Sequence, residues 1–177
     1  AWGKRSTVFI VGNGGSASTA SHLAADLIKT VVDKPGDPGI RAMALGDNGA
    51  LGSAITNDWG FDRLFDAQLA TFWEPGDVVV AISVNGGVGQ DKAGIYSQNL
   101  VRALTYAKDH GGRTIGLVGD KHKGGAFKDI CDACLIVPAG DTPQVESFHV
   151  LLNHLITFGL KEAIREYKGT PWCSPGF

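Results

Sequence analysis

His22 and Asp26 stand four residues apart in a stretch that follows directly on a glycine-rich loop. On a helix that spacing puts both side chains on one face. An imidazole next to a carboxylate can hold a metal ion, or act as a base with its orienting partner. A histidine alone on such a face reads as a satisfied core residue; the carboxylate one turn away points to chemistry. A second set, Glu146, His149 and His154, lies far along the chain. Residues 146 and 154 are eight apart. At about 100° per residue their directions differ by about 80°, so they can flank one cleft. Between and beyond them Phe148, Val150, Leu151, Leu152, Leu155 and Ile156 are apolar nearly all round, as in a helix buried on most sides. Ionisable groups there are expected to be paired or ligating, because burying them unpaired is costly. For Glu146, close to the helix start, stabilisation by the helix dipole is the alternative.

Three loops complete the candidate chemistry. Gly12-Asn13-Gly14-Gly15-Ser16 separates an apolar run from a helical one. Glycines let a backbone approach a ligand, and a helix start offers free N–H groups to an anion. No Gly-Lys-Ser/Thr follows, so it is not a Walker loop. Gly12, Gly14 and Ala17 satisfy G-x-G-x-x-A, a weak dinucleotide fingerprint, and a tight strand-to-helix turn is the plain reading. Ser83-Val84-Asn85-Gly86-Gly87 places a hydroxyl and an amide where a phosphate or sugar hydroxyl would be received. Asn57-Asp58-Trp59-Gly60-Phe61 reads as a polar loop closed by aromatics, either a substrate loop or a helix N-cap turn.

Positioning these residues requires alternating elements. Strands are expected at 6–11, 40–45, 78–83, 114–118 and 135–137. Helices are expected at 17–32, 61–72, 97–110 and 143–166, the last with Thr142 as N-cap and Pro143 at its first position. Continuously apolar strands mean that both sheet faces are covered, and strands alternating with helices mean a parallel sheet. The fold class is therefore α/β, a single doubly wound domain over residues 1–168, with ligands beyond the carboxyl ends of the strands. Residues 169–177 read as an irregular extension.

The composition narrows the function classes. The chain has 177 residues, 44% hydrophobic and 19% charged, with a net charge of −2. That suits one globular domain and argues against nucleic acid or an anionic membrane surface as the main partner. Glycine is the outlier at 25 residues, about twice ordinary usage. Of the three cysteines, Cys131 and Cys134 enter an apolar run with no second pair to complete a zinc site, and they read as small buried hydrophobes. No membrane-length apolar run or signal segment is visible, so a cytoplasmic protein is expected. The chain opens Ala-Trp-Gly without methionine, almost directly into a strand, as expected where a native N-terminal segment lies upstream.

Jointly, VGNGGSASTASHLAADL, TNDWGF, GDVVVAISVNG and QVESFHVLLNHL resemble the sugar isomerase (SIS) domain, and within it the phosphoheptose isomerase family, from Val8 to about Glu162. The resemblance implies a five-stranded parallel sheet flanked by helices. It implies isomerisation of sedoheptulose 7-phosphate to a heptose 7-phosphate through an enediol, in homotetramers that often carry zinc. It places Asn13, Gly14, Gly15 and Ser16 in the first substrate loop, Asn57 and Asp58 in the second, and Ser83 and Asn85 in the phosphate loop. Ser97 stands in for the family's last serine. Asp26 and His154 fall on the proton-transfer pair, and His22, Asp26, Glu146 and His154 on the metal ligands. The chain departs from the family in three places. Asp26 is shorter than the usual glutamate, Glu146 replaces a glutamine (with Gln144 as the alternative ligand if the helix start shifts), and residues 88–96 are an insertion that removes two hydroxyls from the phosphate loop. Two other classes are weighed. A non-catalytic phosphosugar-binding regulator or replication-initiation adaptor fits the lost hydroxyls but has no need for His22, Asp26 and His154. A dinucleotide-binding domain leaves no room for a substrate domain.

Overall fold

The structure, a computed structural model, describes residue 3, residues 5–91 and residues 94–169. At its centre is β1 (Val8–Gly12), buried along its whole length. Val8 and Ile10 pack on one side with Ala20, Leu23, Leu27 and Ile164. Phe9 and Val11 pack on the other with Phe65, Leu69, Leu100 and Phe127. With a core on each face, the strand has no solvent side on which to place polar residues.

From β1 the chain passes into α1 (Gly15–Ala25), a π turn (Asp26–Thr30) and β2 (Ala42–Ala44), then α2 (Gly49–Trp59), a 3₁₀ turn (Phe61–Arg63) and α3 (Asp66–Phe72). Next come β3 (Val78–Ser83), the short strands β4 (Gln90–Asp91) and β5 (Gly94–Ile95), and α4 (Gln98–Asp109). Last are β6 (Arg113–Gly119), α5 (Phe127–Ile130), β7 (Ala133–Val137) and α6 (Thr142–Gly169). The main sheet has five parallel strands in the order β2-β1-β3-β6-β7, the expected α/β architecture with helices on both faces. The chain leaves β1 toward β2 on one side and returns with β3 on the other. Such a switch point is where doubly wound sheets bind ligands. Gly12 pairs in register with Ile82, so the loops after β1 and β3 start side by side.

Several elements differ from the sequence reading. The segment around Asn57 and Asp58 is the last turn of helix α2, not a loop. Of α2 only Ile55 is buried, so the segment carries no apolar period. Its start is fixed instead by the Asn48 side chain, which accepts the Leu51 N–H at 3.0 Å. The helix expected at 61–72 is the 3₁₀ turn followed by α3. The insertion at 88–96 forms the antiparallel pair β4–β5. The last helix is capped one residue earlier than expected: Asp141, not Thr142, accepts the Gln144 N–H, at 3.2 Å.

The largest difference is in α6. Its buried stripe begins with Val145, His149, Asn153 and Thr157, each 0% exposed, and continues to Ile164. Phe148, Leu151, Leu155 and Phe158 face outward, at 43–61% exposure. Instead of being buried on most sides, the helix within one chain turns several apolar side chains outward, while His149, Asn153 and Thr157 lie inside among Val145, Ile156, Leu160 and Ile164. Cys131 and Cys134 carry free thiols that pack on Gly116 beside Phe127. Burial pushes the Cys131 thiol up to about 12, which suits the reading as inert small hydrophobes. Among the described residues no helix is long and apolar enough to cross a membrane. Residues 170–177, with Cys173, lie outside the described residues.

Candidate active site

Two contacts along α1 and α6 define the site. Near their starts, Gly15 of α1 faces Glu146 of α6. Further along, Asp26 faces Asn153 and His154. The helices therefore run side by side in the same direction. Residues 146 and 154 are eight apart, about 12 Å of helix rise.

At the second contact the side chains converge on one carboxylate. His22 Nε2 and His154 Nδ1 each stand 3.6 Å from Asp26 Oδ2. The two imidazoles meet edge to face with centroids 4.9 Å apart. One donor atom from each of His22, Asp26 and His154 lies within 4.8 Å of the others. Asp26 occupies the first position of the π turn, where the Val31 N–H bonds back to the Asp26 carbonyl at 3.2 Å. Such a local widening of a helix recurs at functional sites. Thr30 donates to Asp26 Oδ1 at 2.8 Å and Asn153 donates to Oδ2 at 3.2 Å. Lys161 bonds the carbonyls of Thr30 and Val32 at 3.1 and 2.9 Å, so the end of the π turn is tied to α6.

The donor set fits one divalent ion. Two imidazole nitrogens and a carboxylate oxygen are zinc ligands, and bonds of about 2 Å at tetrahedral angles separate neighbouring donors by about 3.3 Å. The observed 3.6 Å spacings are of that size.

Glu146, expected as a fourth ligand, stands apart from this cluster within one chain. A Cβ on Gly15 would lie 2.5 Å from its carboxylate atoms, so only glycine lets the carboxylate sit there. The helix rise between residues 146 and 154 accounts for the separation. The carboxylate faces the positive end of α1 as well as lying near the start of its own helix, the one the dipole alternative considered.

The loops after β1 and β3 both reach the start of α4. Gly14 adopts φ 56°, a left-handed turn that sends the chain from β1 into α1. Ser16 is buried, and its N–H bonds the Asn13 carbonyl at 3.1 Å. The Asn13 side chain is taken by Asn99: each amide donates to the other, at 2.9 and 2.8 Å. Ser83 Oγ accepts the Gly86 N–H at 3.0 Å and stands 3.4 Å from Ser97 Oγ. Ser97, at the start of α4, holds a left-handed conformation with φ 56°, which costs a non-glycine residue about 1 kcal/mol. Asn85 is half-buried in the same loop. Asn57 and Asp58 join neither cluster through a described bond; they are exposed and bond each other at 2.7 Å.

Sequence reasoning missed Asn99, Thr30 and Asn153. For Thr30 and Asn153 a signal existed: Thr30 is four residues after Asp26, and Asn153 lies midway between His149 and Thr157 at four-residue steps. His149 overturns the expectation of a paired group, because neither ring nitrogen has a partner. Burial lowers its pKa to about 4, so the ring stays neutral instead of pairing a charge.

A parallel doubly wound sheet with glycine- and serine-bearing loops at its switch point belongs to the class of α/β domains that bind ligands at the carboxyl ends of their strands. The family model described as SIS domain matches residues 1–119. A phosphoheptose isomerase of Aliarcobacter butzleri is 39% identical over 150 residues, covering 84% of this chain and 72% of that one. The solved phosphoheptose isomerase of Neisseria gonorrhoeae superposes with a TM-score of 0.76 at 29% identity, covering 90% of this chain and 78% of that one. That of Francisella tularensis gives 0.78 at 25% identity, with the same two coverages. The chain belongs to the phosphoheptose isomerase family of SIS-domain proteins.

Proposed function

We propose that this chain interconverts sedoheptulose 7-phosphate and an aldoheptose 7-phosphate, with Asp26 and His154 as the proton-transfer pair. The observation that carries the assignment of residues is the convergence of His22 Nε2 and His154 Nδ1 on Asp26 Oδ2 at 3.6 Å, beside loops suited to a phosphate. Asp26 takes the proton from the carbon next to the carbonyl, giving an enediol, and returns it to the adjacent carbon. His154 carries the proton between the two oxygens. His22, Asp26 and His154 would hold a divalent ion, for which zinc suits the donors. When bound, it supplies Lewis-acid polarisation of the substrate carbonyl.

The phosphate goes to Ser83, Ser97 and the backbone around Asn13–Ser16, with Asn85 alongside. From Gly15 to His22 is about 10 Å of helix rise, on the scale of an extended seven-carbon sugar phosphate. Glu146, set against Gly15 at the phosphate end, would meet the sugar hydroxyls nearest the phosphate. Asn57 and Asp58 contribute from the exposed end of α2. The apolar outer face of α6, with Trp59 at 66% and Phe61 at 52% exposure, supports self-association as a homotetramer. We place the enzyme in the cytoplasm, where phosphorylated sugars are held. The test is isomerisation of sedoheptulose 7-phosphate by Asp26→Asn, alongside metal stoichiometry. An amide cannot accept the proton, so kcat should fall about 10²- to 10⁴-fold; a fully active variant refutes the assignment.

A further inference from the structure

We propose that Asn153 is a positioning residue that fixes the Asp26 carboxylate for proton transfer. This rests on the reading of Asp26 as the base. Asn153 is wholly buried, yet its amide is only half used. Nδ2 donates to Asp26 Oδ2 at 3.2 Å, while Oδ1 has no partner. The orientation of the amide follows from its neighbour. An ionised carboxylate only accepts hydrogen bonds, so the NH2 group must face Asp26 and the carbonyl oxygen is turned away from it.

An orphaned buried carbonyl is a burden on the fold, and no other described bond of the Asn153 side chain offsets it. Its one interaction is with the carboxylate on which both histidines converge. Asp26 has two anchors. Thr30 holds Oδ1 at 2.8 Å from within the π turn, and Asn153 holds Oδ2 from the opposing helix. With one anchor the carboxylate could swing about its bond to Cβ; with two its plane is set. Asn153 is also next in sequence to His154. One segment of α6 thus places the histidine and aims the carboxylate it faces, so the two move together.

The experiment compares wild type with Asn153→Leu, which keeps the size and removes the donor, and Asn153→Gln, which keeps the donor. Asp26→Asn is run in parallel. The readouts are kcat and KM on sedoheptulose 7-phosphate, Zn2+ affinity by calorimetry, and Tm. For Asn153→Leu the expected result is a kcat about 10- to 100-fold lower with KM within about twofold. Zn2+ binding should weaken about tenfold, while Tm is unchanged or higher. Asn153→Gln should recover most of the lost kcat. Should Asn153→Leu not fold, Asn153→Ala adds no atoms and takes its place. Wild-type kcat and Zn2+ affinity in Asn153→Leu overturn the proposal. So does an activity loss matched by a fall in Tm, since that marks a structural residue. If Asp26→Asn is fully active, the base assignment itself fails; an inactive Asp26→Asn beside a fully active Asn153→Leu sinks this inference alone.

Discussion

Replacing His149 with leucine should abolish most of an acid sensitivity that the wild type carries in its core. The ring is wholly buried, and neither nitrogen has a partner. Burial lowers its pKa from 6.5 to about 4 in the folded chain. In the unfolded chain the ring protonates near its ordinary value. Between those two values the unfolded state binds more protons than the native one, so stability falls as pH falls. From pH 7 to pH 5 the difference amounts to about 2 kcal/mol. For a chain of this size each kcal/mol moves Tm by about 2–4 °C, so the wild type should lose roughly 4–8 °C more than the variant over that interval. At pH 7 the leucine variant should be at least as stable, because no buried nitrogen is left unpaired. The assay is thermal or urea unfolding of both proteins at both pH values and equal concentration. A chelator must be present, because release of any metal from His22 and His154 would add its own pH dependence. Parallel losses in the two proteins would refute the argument: the ring would then either be solvated or have a partner that keeps its pKa ordinary.

Ser83→Ala should raise KM for the phosphosugar several-fold with little change in Tm, since among the described residues the hydroxyl bonds only the Gly86 N–H and Ser97. Unchanged KM with a collapse in Tm would make Ser83 a structural residue. Sedimentation equilibrium at micromolar concentration should show a tetramer, with Leu155→Glu on the exposed face of α6 shifting it toward smaller species; a stable wild-type monomer would contradict the reading of that face.

The sheet was legible because its strands are unbroken apolar runs: residues 78–83 read as a strand and form one over the same six residues. Helix α2 was not. Glycine at 49 and 52 and threonine at 56 are weak helix formers, and a helix with one buried residue has no period to read. The pairing of His22 with Asp26 could be read from spacing, because four residues make a turn. Placing His154 beside them was harder, since that contact joins two helices more than a hundred residues apart, and angular projection alone could not fix depth along the axis. Glu146 entered the ligand set through the family resemblance, and within one chain the fold sets it against Gly15 instead. The inward placement of His149, Asn153 and Thr157 on α6 was hidden by composition: the helix is apolar on average, and nothing in an average says which side faces the core.

The reciprocal amide clasp between Asn13 and Asn99 bears on how this protein ages. Asn13 precedes Gly14, and an asparagine before glycine is prone to cyclise onto the following backbone nitrogen and lose ammonia. Cyclisation requires the side chain to swing back over its own backbone, and the clasp holds it toward α4 instead. Folding therefore slows deamidation at this position. Once the amide becomes a carboxylate, its donor is gone: an oxygen then faces Asn99 Oδ1, and a new negative charge sits in the loop proposed to receive the phosphate. Damage at this one atom would erode the clasp and repel the substrate together, so old preparations should lose affinity for the phosphosugar before they lose the fold.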